Sequence, residues 1–176
     1  DSIRGQIAAL KNHFSSDLIN YHALFLGNHD ALAAGSKLIC FAAQEAYDAF
    51  GFRPRKDQRP FLFLFGSVDS LLKTNQNFFE QLNRLPFYTY VNIGFESVDK
   101  TTLAAIGKPV TVEKVKKAFA KMLHINTSYD QIEITCNFVA GDNLSPEHDE
   151  CLADLLKNAD VSGKQKGAIY LSPLKD

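Results

Sequence analysis

Apolar residues recur in this chain with two alternating periods, one helical and one extended. Ile3, Ile7, Leu10 and Phe14 are three to four residues apart and predict an amphipathic helix. Residues 17–26 then read as a strand ended by Gly27-Asn-His-Asp30. Asp30 is placed to cap a helix of small and apolar residues over 31–50, closed by Gly51. Phe61-Leu-Phe-Leu-Phe65 is continuously apolar, as a buried parallel strand is. Gly66-Ser67 ends it, and 68–84 predicts a helix with a weak point at Thr74-Asn75.

The run Tyr88-Thr-Tyr-Val-Asn-Ile-Gly-Phe-Glu-Ser-Val-Asp99 is the most informative. It predicts a strand that stops at a glycine and an acid and enters a helix capped by Asp99. Gly94 removes a side chain where another group can approach the backbone closely. Gly107-Lys-Pro109 interrupts the following helix, and Thr111 caps a second run to about Asn126. In that run Val115, Phe119, Met122 and Leu123 form the apolar face. Lys114, Lys116, Lys117 and Lys121 lie mostly outside it, as a solvated face or, in a sharper reading, a phosphate patch. Residues 131–139 predict the next strand, ended by Ala140-Gly-Asp142. Ser145-Pro146 predicts a helix start, with the helix running to about Asn158. A turn rich in Gly and Lys leads to a last strand at 168–171, ended by Ser172-Pro173.

The order α-βα-βα-βα-βα-β predicts an α/β fold, with about five parallel strands and helices on the outer face. One domain spans 1–176, without a linker. Strand parity refines the picture. Tyr90, Asn92, Gly94 and Glu96 share one face, as do Glu133, Thr135, Asn137 and Val139. Polar residues inside a doubly covered sheet cost a few kcal/mol each, ~2–7, unless paired. A wet inner face avoids that cost, so a partial (β/α) TIM-like barrel is expected rather than a flat sheet covered on both sides.

Charge and cysteine content add exclusions. The 176 residues hold 19 basic and 20 acidic side chains, for a net charge of -1. Nothing there attracts nucleic acid or an anionic membrane, and no apolar run reaches membrane-spanning length. Cys40, Cys136 and Cys151 are odd in number and far apart, which fits a reduced, cytoplasmic protein. The basic loop 53–60 reads as a solvated connector, with anion binding as the alternative. The chain opens in mid-pattern without Met, as an excised fragment would.

Four predicted strands end in glycine beside a polar group: Gly27-Asn28, Gly66-Ser67, Gly94 with Glu96, and Gly141-Asp142. The fifth ends at Ser172. Such ends either make tight turns or line one rim with free N–H groups, suited to a ligand with a carboxylate, a ribose and a purine. Glu96 is either a site acid or a capping-region acid stabilised by the helix dipole. His29 is a metal ligand or general base only if partners beyond Asp30 join it.

Several motifs follow a recognisable order: Phe25-Leu-Gly-Asn-His-Asp-Ala-Leu32, Phe65-Gly-Ser67, Asn92-Ile-Gly-Phe-Glu-Ser97, Ala105-Ile-Gly-Lys-Pro109 and Asn137-Phe-Val-Ala-Gly-Asp142. In this order the chain resembles radical S-adenosylmethionine (SAM) proteins, over the part of their partial (β/α)6 barrel after the first strand. The resemblance implies a SAM site and, in the full-length protein, a 4Fe-4S cluster. It implies that Gly27, Asn28 and His29, with Asp30 beside them, hold the methionine end of SAM. The family's acid falls at His29, so Asp30 would substitute for it. Glu96, with Ser97 next, falls at the ribose position. Asn137, Val139, Gly141 and Leu144 fall near the adenine, two of the four agreeing in character. Ser67, Asn92 and Ser172 complete the rim.

The family's Cys-x3-Cys-x2-Cys loop is missing, and the three cysteines read as buried small residues. The chain is therefore expected to be the SAM-binding portion of an oxidoreductase of unknown substrate, inactive by itself. Without the first strand, an exposed edge is expected to pair with a second copy. The rival expectations are a non-catalytic α/β module for a nucleotide-like ligand or a protein partner, and a fragment of another (β/α) barrel enzyme.

Overall fold

A computed structural model describes residues 2–56, 58–159 and 166–174. Five strands form one parallel sheet in sequential order: β1 (Ala23–Leu26), β2 (Phe61–Gly66), β3 (Tyr88–Glu96), β4 (Ile132–Ala140) and β5 (Ile169–Pro173). The helices are α1 (Ile3–Phe14), α2 (Ser36–Phe50), α3 (Val68–Lys73), α4 (Gln76–Asn83), α5 (Lys100–Ala105), α6 (Val112–Ser128) and α7 (His148–Asn158). Each neighbouring strand pair is parallel, from β1 with β2 through β4 with β5. Parallel strands laid down in chain order with right-handed crossovers collect their helices on one side. The burial of the strands agrees with that. Leu62, Leu64, Val91, Ile93, Ile134, Cys136 and Phe138 are buried to 1% exposure or less. Of the opposite parity, Phe63, Tyr90, Asn92, Glu133 and Asn137 are half-buried.

The core lies between the sheet and its helices. Phe79, Phe87, Phe95, Phe119 and Phe138 are its largest fully buried side chains. Phe95 meets Phe119 of α6 and Phe138 of β4 edge-on, at 6.1 and 5.8 Å. The expected break near Thr74-Asn75 is present: Asn75 starts α4 by accepting the Phe78 N–H. Thr111 starts α6 by accepting the Lys114 N–H.

Several boundaries differ from those expected. Residues 17–26 do not form one strand. Ser15–Asn20 is a 3-10 turn entered at Ser15 with φ 43°, and β1 covers only Ala23–Leu26. Residues 31–50 split into a 3-10 turn, Ala31–Ala34, and α2, because Gly35 at φ 79° breaks the helix. Ser145-Pro146 lies in the turn before α7, whose N-cap is Glu147. The Gly/Lys turn falls mostly outside the described residues.

The basic loop is a connector. Arg59 donates to Leu85 O at 3.0 Å, Arg53 to Phe52 O at 2.6 Å, and Arg55 to the Ile19 and Tyr21 carbonyls. Lys121 is drawn in from the lysine face and donates to Thr74 O at 2.5 Å, capping the C-terminus of α3. Its burial lowers its pKa. Among the described residues no helix is long and apolar enough to cross a membrane. β1 and β5 are both edges, so the sheet is open.

Candidate functional site

In a parallel sheet all C-terminal strand ends share one edge, and ligands bind there. The register places Leu26 beside Leu64, Gly66 beside Ile93, Gly94 beside Asn137 and Val139 beside Ser172. The glycines that end the strands therefore follow one rim.

The centre of that rim is Glu96. β3 loses register with β4 between Gly94 and Glu96, and Glu96 has φ 64°. The Ser97 N–H bonds back to Phe95 O at 2.8 Å, closing a three-residue turn around it. Positive φ at a side-chain-bearing residue of this kind costs about 1–3 kcal/mol and is found where surrounding contacts enforce it. The enforcing contacts are visible. Phe95 is locked in the core, while the Glu96 carboxylate folds over Gly94 onto the open face. There Lys108 donates to Oε1 at 3.1 Å and Asn137 Nδ2 donates to Oε2 at 3.3 Å. A Cβ on Gly94 would sit 2.5 Å from Glu96 Oε1. The group that approaches Gly94 closely is thus the chain's own acid.

A polar row continues from this point along the face. Asn92 Nδ2 donates to Thr135 Oγ1 at 3.0 Å. Asn92, Thr135, Asn137, Glu96 and Lys108 thereby link β3, β4 and the Gly107-Lys108-Pro109 turn. An amide can make more bonds than the one each Asn makes here to its neighbour, so the row retains capacity for a ligand.

Asp30 does not cap a helix. Its Oδ2 accepts Ser70 Oγ–H at 2.6 Å, and its Oδ1 is buried without a partner. Ser67 caps α3 by accepting the Ser70 N–H at 3.0 Å. Asp30, Ser67 and Ser70 thus form a second polar group at the β1–β2 end of the rim. Gly27, at φ 78°, lets Ala31 pack against its backbone, where a Cβ would lie 2.8 Å from Ala31 Cβ. Asn28 and His29 are exposed beside it.

The remaining expected site residues are placed differently. Ser97 is fully buried. His148 Nε2–H donates to Val139 O at 3.0 Å, which leaves Nδ1 to accept from Ser97 Oγ at 2.9 Å. Ser97 Oγ in turn accepts the Asp99 N–H at 2.9 Å. This hydroxyl joins β3 to α7 inside the protein and does not face the rim. Val139 points toward the open face but is buried, and its carbonyl is held by His148. Gly141 is exposed at the end of β4, and Ser172 is half-buried opposite Val139. Gly66 is a packing glycine, because a Cβ there would strike Leu32 and Ile93 at 2.6 and 2.7 Å.

Asp99 caps α5 by accepting the Thr102 N–H at 2.7 Å. Burial opposes its charge, but hydrogen bonds from Thr102 and its neighbours outweigh this and hold its pKa below the ordinary value.

The cysteines do not form a cluster. Cys136 lies in the core, where burial pushes its thiol up to about 12. Cys40 and Cys151 belong to separate helices, α2 and α7. Among the described residues no three His, Cys, Asp or Glu side chains converge as metal ligands. Residue patterns alone do not pair Lys108 with Glu96, although Gly107-Lys-Pro109 stands out as a helix break. They also leave out His148 and Ser70, which no motif or period marks.

Neither a protein-family model nor a curated protein sequence matches this chain.

Proposed function

We propose that this chain is the SAM-binding portion of a radical SAM iron–sulfur enzyme, with the sheet as an arc of a partial barrel. The observation that carries the reading is the Glu96 carboxylate. It is strained into a left-handed turn, laid on the open face and held by Lys108 and Asn137. A carboxylate so held accepts the two hydroxyls of a ribose without reorganising. Asn92 and Asn137 are the adjoining amide groups for the nucleoside. Val139, Gly141 and Ser172 border the adenine side. At the other end of the rim, Asp30 carries a carboxylate oxygen without a partner, which suits the ammonium of the methionine moiety. Gly27, Asn28, His29 and Ser67 surround it.

SAM would supply hydrogen-abstraction chemistry only after one-electron reduction by the cluster of the full-length protein. The protein's own part is to orient the adenosyl group and keep water from it. The 4Fe-4S cluster does not fit the described residues, whose three thiols lie on separate elements, Cys136 buried and Cys40 and Cys151 half-buried, with no converging ligand set. No electron-transfer step is assigned to this chain, and it is expected not to cleave SAM by itself.

Equilibrium dialysis with radiolabelled SAM tests the proposal. Saturable binding is expected, weakened about ten- to a hundredfold by Glu96→Gln, the range set by losing hydrogen bonds to a charged group. No saturable binding, or an unchanged Kd in the variant, overturns it. ATP binding as tightly as SAM would instead support a nucleotide-binding module.

A further inference from the structure

One buried imidazole ties together the two strands that carry the Glu96 site. His148 is the first residue of α7, where only it and Leu155 are buried. The ring is 2% exposed. A polar group so buried costs stability unless it is bonded. Both of its nitrogens are bonded, and both partners end a wall of the site. Nε2–H donates at 3.0 Å to Val139 O, near the C-terminal end of β4. Nδ1 lies 2.9 Å from the hydroxyl of Ser97, the residue that follows Glu96. A carbonyl can only accept, so the tautomer is fixed and Nδ1 is left to accept from Ser97.

These bonds fall where the ladder itself is irregular. β3 and β4 pair in register from Thr89 with Ile132 to Gly94 with Asn137, then slip, so that Glu96 stands opposite Phe138. At the slip Glu96 takes φ 64°. Such a backbone persists only where its surroundings over-determine it. On one side of Glu96, Phe95 is fully buried against Phe119 and Phe138. On the other side Ser97 is fully buried, with its hydroxyl oxygen on His148 and on the Asp99 N–H. The Asp99 contact is local, two residues along the chain. His148 is the contact that comes from another element, and the same ring holds Val139. A single side chain thus spans the ends of β3 and β4.

We propose that His148 is a positioning residue: through Ser97 it holds the left-handed turn that lays the Glu96 carboxylate on the open face. Lys108 and Asn137 meet the carboxylate itself, and His148 acts one residue further along the chain. Without the imidazole, Glu96 relaxes to negative φ and its carboxylate leaves Gly94. A carboxylate that must be re-ordered on binding is a weaker partner than one already in place. Control of the turn stands by itself; only the consequence for SAM rests on the proposed function.

The turn has its own reporter, the Ser97 N–H, which closes it by bonding to Phe95 O at 2.8 Å. Amide hydrogen exchange by NMR, without ligand, compares Ser97 with Val91 in the middle of β3. In His148→Leu the protection of Ser97 relative to Val91 should fall about tenfold or more. In His148→Asn the amide oxygen takes the place of Nδ1 and accepts from Ser97, so protection should stay within about threefold. In His148→Gln the longer amide reaches Val139 O instead, and protection should fall as in His148→Leu. The last two variants carry the comparison if His148→Leu fails to fold. SAM affinity by equilibrium dialysis should follow the same order. In a Glu96→Gln background, His148→Leu should weaken SAM by less than about twofold further, because both changes remove the same carboxylate. A merely structural histidine would lower the urea midpoint and give losses that add to those of Glu96→Gln. Unchanged Ser97 protection in folded His148→Leu, equal losses in His148→Asn and His148→Gln, or additive losses with Glu96→Gln overturn the inference. If the intact chain binds no SAM while the protection pattern holds, only the assignment of the ligand falls.

Discussion

Ser97 and Asp99 are two residues apart, and each is explained by a buried hydrogen bond. Ser97 links Asp99 N–H to His148 and so ties β3 to α7. Replacing it with Ala leaves a buried imidazole nitrogen unpaired, which costs about 1–3 kcal/mol. Urea unfolding of Ser97→Ala should show a lower midpoint by that amount with an unchanged slope. Asp99 has a lowered pKa in the folded protein. Its stabilisation is therefore complete above the ordinary carboxylate pKa of about 3.9 and is lost as pH falls through the folded value. Asp99→Asn can still cap α5 but carries no charge. Its stability deficit in urea should be present at pH 5–7 and close below about pH 4. A deficit independent of pH would show that the carboxylate charge is not what the cap uses.

At the next level, the glycines at the strand ends have unlike physical roles. Gly94 gives clearance to Glu96, Gly27 turns the chain at positive φ, and Gly66 lets Leu32 pack on the sheet. Gly66→Ala should overpack this contact and cost about 1–3 kcal/mol, read as a lowered Tm. The same substitution at Gly141, where the nearest side chain is an ordinary 3.7 Å away, should have little effect. From the residues alone the four ends look alike, since each is a glycine beside a polar group. They differ in what the neighbouring element brings to them, and that depends on how 3-10 turns and helices pack back on the sheet. The helix breaks at Thr74 and Gly107 were legible because capping is local. The short β1 was not, because Asp17 to Tyr21 carry strand-like apolar residues but enter a 3-10 turn through the positive φ of Ser15.

Among the described residues, β1 and β5 are unpaired parallel edges and the sheet has an open face rich in aromatic side chains. We propose that the β1 edge pairs with a second copy. The outward residues of β1, Ala23 and Phe25, carry no charge to prevent pairing. Light scattering over a concentration series should show a dimer. Phe25→Lys should shift it at least tenfold toward monomer, and Phe63→Ala, which lies off that edge, should not. A strictly monomeric species at high concentration would remove the proposal.

Periodicity was enough to specify five parallel strands, their order of alternation with helices, and which parity of β3 and β4 faces away from the helices. These follow from local geometry, because the side-chain period of a strand or helix is a property of its own backbone. Register, the turn at Glu96 and the return of Lys108 to it were decided only in three dimensions. Each joins residues separated by a crossover, and the free energy that selects them comes from packing Phe95 in the core while Glu96 is turned onto the open face. The aromatic row of the open face belongs to both. Its parity is written in Phe61-Leu-Phe-Leu-Phe65 and Tyr88-Thr-Tyr90, but only the sheet places the two rows side by side.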